Sequence, residues 1–213
     1  MSSDALKLSD EALALQTQSG SMEAFEELVI RYEKRIYSFV SQSCRNYTEI
    51  AEITQETFVK AYQAISQFDP TRAFAPWLFT IARRKCVDHF RALKFIPPVQ
   101  HLTSDTQAGN DKTPELSDSN DPAELLALQD ERRHLWNIAR RILSQSQFDA
   151  LWLHYVEDMS VAEIATILRR PQTYVKVLLF RARKGLAERL KPTRAFIGST
   201  FETMPHAYEI PIR

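Results

Sequence analysis

Residues 160–184 read SVAEIATILRRPQTYVKVLLFRARK, and this run decides the fold class. Ser160 followed three residues later by Glu163 fits a capping box, in which each side chain answers the other residue's backbone N–H. A short helix therefore starts at Ser160 and lasts to about Arg169. Arg169-Arg170-Pro171 interrupts it, because proline lacks an N–H and restricts the residue before it. A second helix starts near Pro171 and runs to about Leu190. Ile164, Leu168, Val175 and Leu179 are spaced to pack the two helices together. Helix, tight turn, helix is the arrangement whose second member can enter a DNA major groove. Arg181, Arg183, Lys184 and Arg189 lie along that second helix or at its end, where they can meet phosphates. An ordinary helical hairpin with a solvated basic face satisfies the same pattern, and both readings stand at this point.

Outward from this run, helical periodicity continues and no alternating strand pattern interrupts it. Ser144 with Gln147 repeats the capping box, and Asp121-Pro122-Ala123-Glu124 has the cap, proline and acid of another helix start. Toward the N-terminus, a short helix spans about Ser9 to Gln18 and Gly20-Ser21 breaks it. A long helix follows from Met22 to about Ser43, with Phe25, Leu28, Val29, Tyr32, Ile36, Phe39 and Val40 in one apolar stripe. Thr48 is placed to cap a third helix over about 49–67. Phe68-Asp69-Pro70-Thr71-Arg72 reads as a loop, and Pro76 suits the start of a fourth helix that ends near Lys94. Pro97, Pro98, Gly109 and Pro114 among Ser, Thr, Asn and Asp mark residues 95–121 as a flexible acidic linker. The tail from Lys191 to Arg213 has three prolines and no apolar stripe, and reads as unstructured.

The expected fold is all-α: two helical domains, 1–94 and 122–190, joined by the linker and followed by the tail 191–213. A length of 213 residues accommodates this, and only 4 glycines argue against turn-rich sandwiches and Gly-rich phosphate loops. Equal numbers of basic and acidic residues, 27 each, argue at first against a nucleic-acid binder. The charge is unevenly spread, however. Residues 1–98 hold 12 basic and 12 acidic groups, residues 99–130 have a net charge of −6, and residues 131–213 one of +6. Such asymmetry points to nucleic acid contact by the basic part. Cys44 and Cys86 suit reduced, buried thiols rather than a disulfide framework. No apolar run approaches the ~18 residues of a membrane span, and a cytoplasmic location is the expectation. His89, His101, His134, His154 and His206 have no metal-ligand spacing, and no nucleophile sits in a recognisable motif. No catalytic residue, metal or cofactor is expected, and an enzyme is the least favoured class.

In the first domain, Phe68, Phe74, Trp77, Phe79 and Phe90 are interleaved with Arg72, Arg83, Arg84, Lys85 and Arg91. Cations that hold a backbone beside rings that stack on unpaired bases suit single-stranded nucleic acid. Leu78, Ile81 and Val87 read as core. For Arg72, Phe74 and Trp77, around the loop, core and contact readings are balanced.

Five blocks in order then carry a family resemblance: residues 24–28 (AFEEL), 55–58 (QETF), 68–70 (FDP), 77–83 (WLFTIAR) and 88–91 (DHFR). They resemble region two of the extracytoplasmic-function sigma factors. Tyr155, Ser160, Glu163-Ile164-Ala165, Pro171, Val175-Lys176 and residues 181–184 (RARK) resemble region four. The resemblance implies a dissociable promoter-recognition subunit of bacterial RNA polymerase that directs transcription initiation. It implies that Glu52, Gln55, Glu56, Phe58, Lys60 and Tyr62 dock on the clamp coiled coil of core polymerase. Arg72, Phe74, Trp77, Arg83, Arg84, Lys85, Asp88 and Arg91 then hold the melted minus-ten strand. Gln172, Thr173, Tyr174, Lys176, Arg181, Arg183 and Lys184 read the minus-thirty-five duplex. An anti-sigma factor is an optional further partner.

The chain departs from the family pattern at several places. Arg84 stands where members carry Asn, and Arg169 replaces the glycine of the turn. The usual Gly-Thr-Val-Lys-Ser-Arg run is Thr173-Tyr174-Val175-Lys176-Val177-Leu178, which lacks a hydroxyl and an arginine. Tyr174, Val177, Leu178 and Phe180 are expected to be exposed and suited to a protein partner. The alternative reading is accordingly a divergent sigma homologue that acts mainly as a protein-interaction module with weak duplex readout. A stand-alone helix-turn-helix regulator ranks behind both.

Overall fold

The structure, a computed structural model, describes residues 8–44, 46–95 and 134–190. The acidic linker, the expected helix start at Asp121 and the tail lie outside the described residues.

Four helices form the first bundle: α1 (Asp10–Gln18), α2 (Met22–Ser41), α3 (Tyr47–Ala64) and α4 (Phe74–Phe95). Ser9 caps α1 and Ser21 caps α2, each hydroxyl accepting from the backbone N–H three residues on. Gly20 lies between them at φ +101°, a conformation that a side chain disfavours, so the break at Gly20-Ser21 is conformational. Asn46, rather than Thr48, caps α3: its Oδ1 accepts from the Thr48 N–H at 3.0 Å, and the helix begins at Tyr47. α3 ends in a single 3-10 turn, Ile65–Gln67. The stripe on α2 is buried as expected at Phe25, Leu28, Tyr32, Ile36, Phe39 and Val40, with Val29 partly covered.

The second bundle holds α5 (described over residues 134–142), α6 (Gln145–Tyr155), α7 (Val161–Leu168) and α8 (Gln172–Leu190). Both expected capping boxes form, at Ser144–Gln147 and Ser160–Glu163. Ile164, Leu168, Val175 and Leu179 are buried between α7 and α8, so the helix-turn-helix packs as its spacing predicts. Trp136 of α5 meets Phe148 and Trp152 of α6 edge-on, with centroids 5.6 and 4.9 Å apart.

Arg169 occupies the left-handed position normally left to glycine, at φ 51° and ψ 49°. Its N–H reaches Thr166 O and the Arg170 N–H reaches Ala165 O, the pair of bonds of a Schellman stop. The turn geometry survives the loss of glycine at the cost of strain in one residue. Buried side chains of the two bundles form one continuous cluster, with α4 packed on α7. Cys44 and Cys86 are free and buried.

Candidate nucleic-acid and polymerase interface

α4 carries most of the expected strand-binding residues, and α1 sets where that helix begins. Glu11 Oε1 accepts from the Phe74 N–H at 3.1 Å, capping α4 from a distant helix. Gln18 Nε2 donates to Ile65 O and Phe68 O, both at 2.7 Å, pinning the turn that leads into the loop. Within the loop, Asp69 Oδ1 accepts from the Thr71 N–H and hydroxyl, and these bonds hold its carboxyl below the usual range. Neither Glu11 nor Gln18 stood out in the sequence, because a remote cap has no local spacing to betray it.

The expected strand-binding residues divide by exposure. Arg72, Arg84, Asp88 and Arg91 are exposed, with Arg84 and Arg91 both 3.8 Å from Asp88 and Arg72 3.4 Å from Asp69. Lys85 Nζ donates to Glu56 Oε2 at 2.8 Å, tying α4 to α3. Trp77 is partly covered, its ring 5.2 Å from that of Phe68. Phe74 departs from the expectation. It is 1 % exposed and packs between Tyr32, Phe68 and Trp77, so its ring belongs to the core and has no face free for a base. Of the core expectations, Leu78 is fully buried and Ile81 packs on the cluster, whereas Val87 lines the cleft described below.

On α3, Glu52, Gln55, Glu56, Lys60 and Tyr62 are exposed, and Phe58 is buried. Beside them a groove of about 690 Å³ runs between α2 and α3, lined by Phe25, Val29, Tyr37, Tyr47, Gln55 and Tyr62 among others. Phe25 and Tyr62 meet at 5.0 Å across it. The α2 wall was not foreseen as part of this surface, because its apolar residues belong to the stripe that reads as core.

On α8, Gln172, Thr173, Tyr174, Lys176, Arg181, Arg183 and Lys184 are all exposed. The Arg170 guanidinium lies 5.5 Å from the Tyr174 ring centroid. Val177 and Phe180 are exposed as expected, but Leu178 is 5 % exposed. It faces Arg83, Val87 and Arg91 of α4 across a small cleft, so the docking of the bundles covers it.

Arg83 is held in that interface. Its Nε donates to Asp149 Oδ2 at 3.0 Å, and Gln145 Nε2 donates to the other carboxylate oxygen at 2.7 Å. Burial pushes the Asp149 carboxyl up and Arg83 pulls it back. Arg35 Nε similarly donates to Glu157 Oε2 at 2.8 Å, and burial raises that carboxyl too, with Arg35 opposing. Asp149 had a detectable signal: it is a lone carboxylate inside the apolar run Phe148–Leu153, where an unpaired charge does not survive. Among the described residues no group of acidic, His or Cys side chains is placed to hold a metal ion, and no helix is long and apolar enough to cross a membrane.

Comparison with known proteins matches the family profile Sigma-70 region 2 to residues 28–95 and Sigma-70, region 4 to residues 141–186. The RNA polymerase sigma-H factor of Pseudomonas aeruginosa is 30% identical over 183 residues, covering 86% of this chain and 94% of that protein. The ECF RNA polymerase sigma-E factor of Escherichia coli K12 is 28% identical over 186 residues, covering 87% and 96%. Among solved structures, CnrH in complex with the cytosolic domain of CnrY is similar with a TM-score of 0.59 at 26% identity, over 86% of this chain and 97% of that one. The sigma factor RpoE of Bartonella quintana, solved with the anti-sigma factor NepR, shares the fold with a TM-score of 0.60 at 23% identity, over 80% and 98%.

Proposed function

The chain belongs to the extracytoplasmic-function sigma factors of the sigma-70 family, and from that premise we propose how its surfaces divide the work of transcription initiation. As a sigma factor it acts with RNA polymerase in promoter recognition, a DNA-binding regulatory role rather than an enzymatic one. The exposed face of α3, with Glu52, Gln55, Glu56, Lys60 and Tyr62, docks on the clamp coiled coil of core polymerase. Phe58 supports that face from below, and the adjoining apolar groove receives side chains of the docked helix.

The minus-ten strand is held by Arg72, Trp77, Arg83, Arg84, Lys85, Asp88 and Arg91. Cations fix the backbone and the uncovered part of the Trp77 ring offers stacking, so capture of an unpaired base stabilises the opened duplex without an energy source. Phe74 contributes by fixing Trp77 rather than by touching DNA. α8 approaches the minus-thirty-five duplex with Gln172, Thr173, Tyr174 and Lys176 at its N-terminal end and Arg181, Arg183 and Lys184 behind. The sigma factor RpoE of Bartonella quintana is solved with an anti-sigma factor and CnrH with the cytosolic domain of CnrY, and an anti-sigma factor is a candidate regulator of this chain.

The observation that carries this reading is the Lys85–Glu56 contact, which joins the polymerase-facing helix to the strand-holding helix at adjacent faces. Docking by one helix then delivers the other to the DNA. Gel filtration with core polymerase tests it. The wild-type chain co-elutes with core, and the double variant Gln55→Ala, Glu56→Ala loses most of that binding while keeping its helical circular dichroism. Equal co-elution of the variant rejects the assignment of α3.

A second reading, a protein-interaction role for region four with weak duplex readout, is favoured by the exposed Tyr174, Val177 and Phe180. Val177→Ser separates the two. If the surface is a weakened DNA reader, the variant binds minus-thirty-five duplex more tightly. If it serves a protein, duplex binding stays the same. Because Leu178 is buried, restoring the family's arginine there disturbs packing and is not a clean test.

A further inference from the structure

One small cleft collects cations from three helices' neighbourhoods. It has a volume of about 210 Å³, and Arg83 and Arg91 of α4 line it together with Arg170, Ser146 and Tyr174 of the second bundle. Arg170 pairs with no carboxylate among the described residues. Its guanidinium lies 5.5 Å from the Tyr174 ring centroid, a contact that orients the charge without neutralising it.

The other two arginines keep donors to spare. Arg83 gives its Nε to Asp149, and its Nη groups make no hydrogen bond among the described residues. Arg91 is 3.8 Å from Asp88, beyond hydrogen-bond distance, and shares that carboxylate with Arg84. The hydroxyls of Ser146 and Tyr174 also have no hydrogen-bond partner among the described residues. Counting Arg84, four arginines stand against the two carboxylates of Asp88 and Asp149, so two positive charges are left uncompensated. Like charges in one cleft repel each other, and a cleft of one sign concentrates the potential that draws an anion in.

The chemistry of the lining selects the anion. A guanidinium is a planar fork that matches the oxygens of a phosphate, and hydroxyls supply further donors. An excess of two charges suits the dianion that a phosphate monoester becomes above its second pKa of about 6. A carboxylate or a phosphodiester brings only one. The volume is below the roughly 300–1,000 Å³ of sites that enclose a whole organic ligand, so the cleft receives a phosphoryl group and leaves any attached group outside.

We infer that this cleft is a binding site for a small phosphate dianion, inorganic phosphate or the phosphoryl end of a small monoester, held by Arg83 and Arg91 from one side and Arg170, Ser146 and Tyr174 from the other. The site stands on the lining residues alone and does not depend on the promoter or polymerase assignments. Binding offsets the repulsion among the arginines. An anion that binds the folded chain in preference to the unfolded one also raises its melting temperature.

Isothermal titration calorimetry of the full chain, in phosphate-free buffer at low ionic strength, tests the site with three probes: inorganic phosphate, phenyl phosphate and dimethyl phosphate. Inorganic phosphate should bind once per chain and the diester at least tenfold more weakly. Phenyl phosphate binding as tightly as inorganic phosphate assigns the site to monoesters, and much weaker binding assigns it to the free ion. Arg170→Ala should weaken phosphate binding roughly tenfold or more, the loss of one hydrogen bond to a charged group. Arg189→Ala removes the same charge from the far end of α8 and should leave binding unchanged. Arg170 is exposed, so its truncation keeps the fold, which circular dichroism checks. A thermal melt of the wild type, needing no variant, should shift upward with inorganic phosphate and not with dimethyl phosphate. Absence of saturable phosphate binding, equal affinity in Arg170→Ala, or equal loss in both variants overturns the site. Dimethyl phosphate binding as tightly as inorganic phosphate also overturns it, since the cleft is then a contact for a nucleic-acid backbone.

Discussion

Arg169 shows how far a single residue can depart from its family and still keep the turn. Its left-handed backbone costs a side-chain-bearing residue roughly 1–2 kcal/mol, so Arg169→Gly is expected to stabilise the chain by about 1 kcal/mol, with part of the gain lost to the flexibility of glycine when unfolded. Urea unfolding followed by circular dichroism measures this, and a loss of stability contradicts it. Phe74 presents the opposite case, a residue whose type suits a ligand and whose position serves the core. Phe74→Ala should cost about 3–5 kcal/mol of stability, as for other fully buried rings. Any loss of strand binding should follow unfolding, which a melting curve recorded beside the binding isotherm resolves. The sequence left Phe74 and Trp77 undivided because they sit three apart on one helical stripe, and only the neighbouring Tyr32 and Phe68 rings decide which is covered.

At the scale of elements, most of the fold was legible because each helix start announces itself locally. The capping boxes at Ser144 and Ser160 and the break at Gly20 form as expected, and the structure adds caps by Ser9 and Ser21. α3 begins two residues before the expected Glu49: Asn46 and Thr48 are both competent caps, and the apolar stripe does not choose between them. The start of α4 was less legible, since Glu11 caps it across 63 positions. Glu11→Ala is expected to lower stability by about 1 kcal/mol, within the usual range for a lost N-terminal cap. It should also loosen the loop carrying Arg72, and hydrogen exchange of the Phe74 amide reports both effects directly. Unchanged protection at that amide contradicts the capping role.

For the whole molecule, the sequence showed two domains and an uneven charge distribution, but not their mutual docking. Asp149 within an apolar run was the single local hint, and its partner Arg83 lies 66 positions away. Burial raises both Asp149 and Glu157 above their ordinary values of 3.8 and 4.5, so at these two groups the folded chain binds protons more readily than the unfolded one. Their contribution to folding stability is most favourable below those ordinary values and is lost as pH rises through the raised ones. Urea unfolding of wild type and Asp149→Asn at mildly acidic and neutral pH should show the stability gap between them moving in favour of the variant as pH rises, and the reverse trend contradicts the assignment. The uneven charge distribution fits a protein delivered to DNA by a larger partner, with Arg35 and Arg83 already paired within the molecule. The most direct test of that account adds the purified chain to core polymerase on fragments of its own genome and maps transcript starts. The account predicts starts that require the chain and share a sequence about ten bases upstream; core polymerase that binds the chain yet yields no new start sites would contradict it.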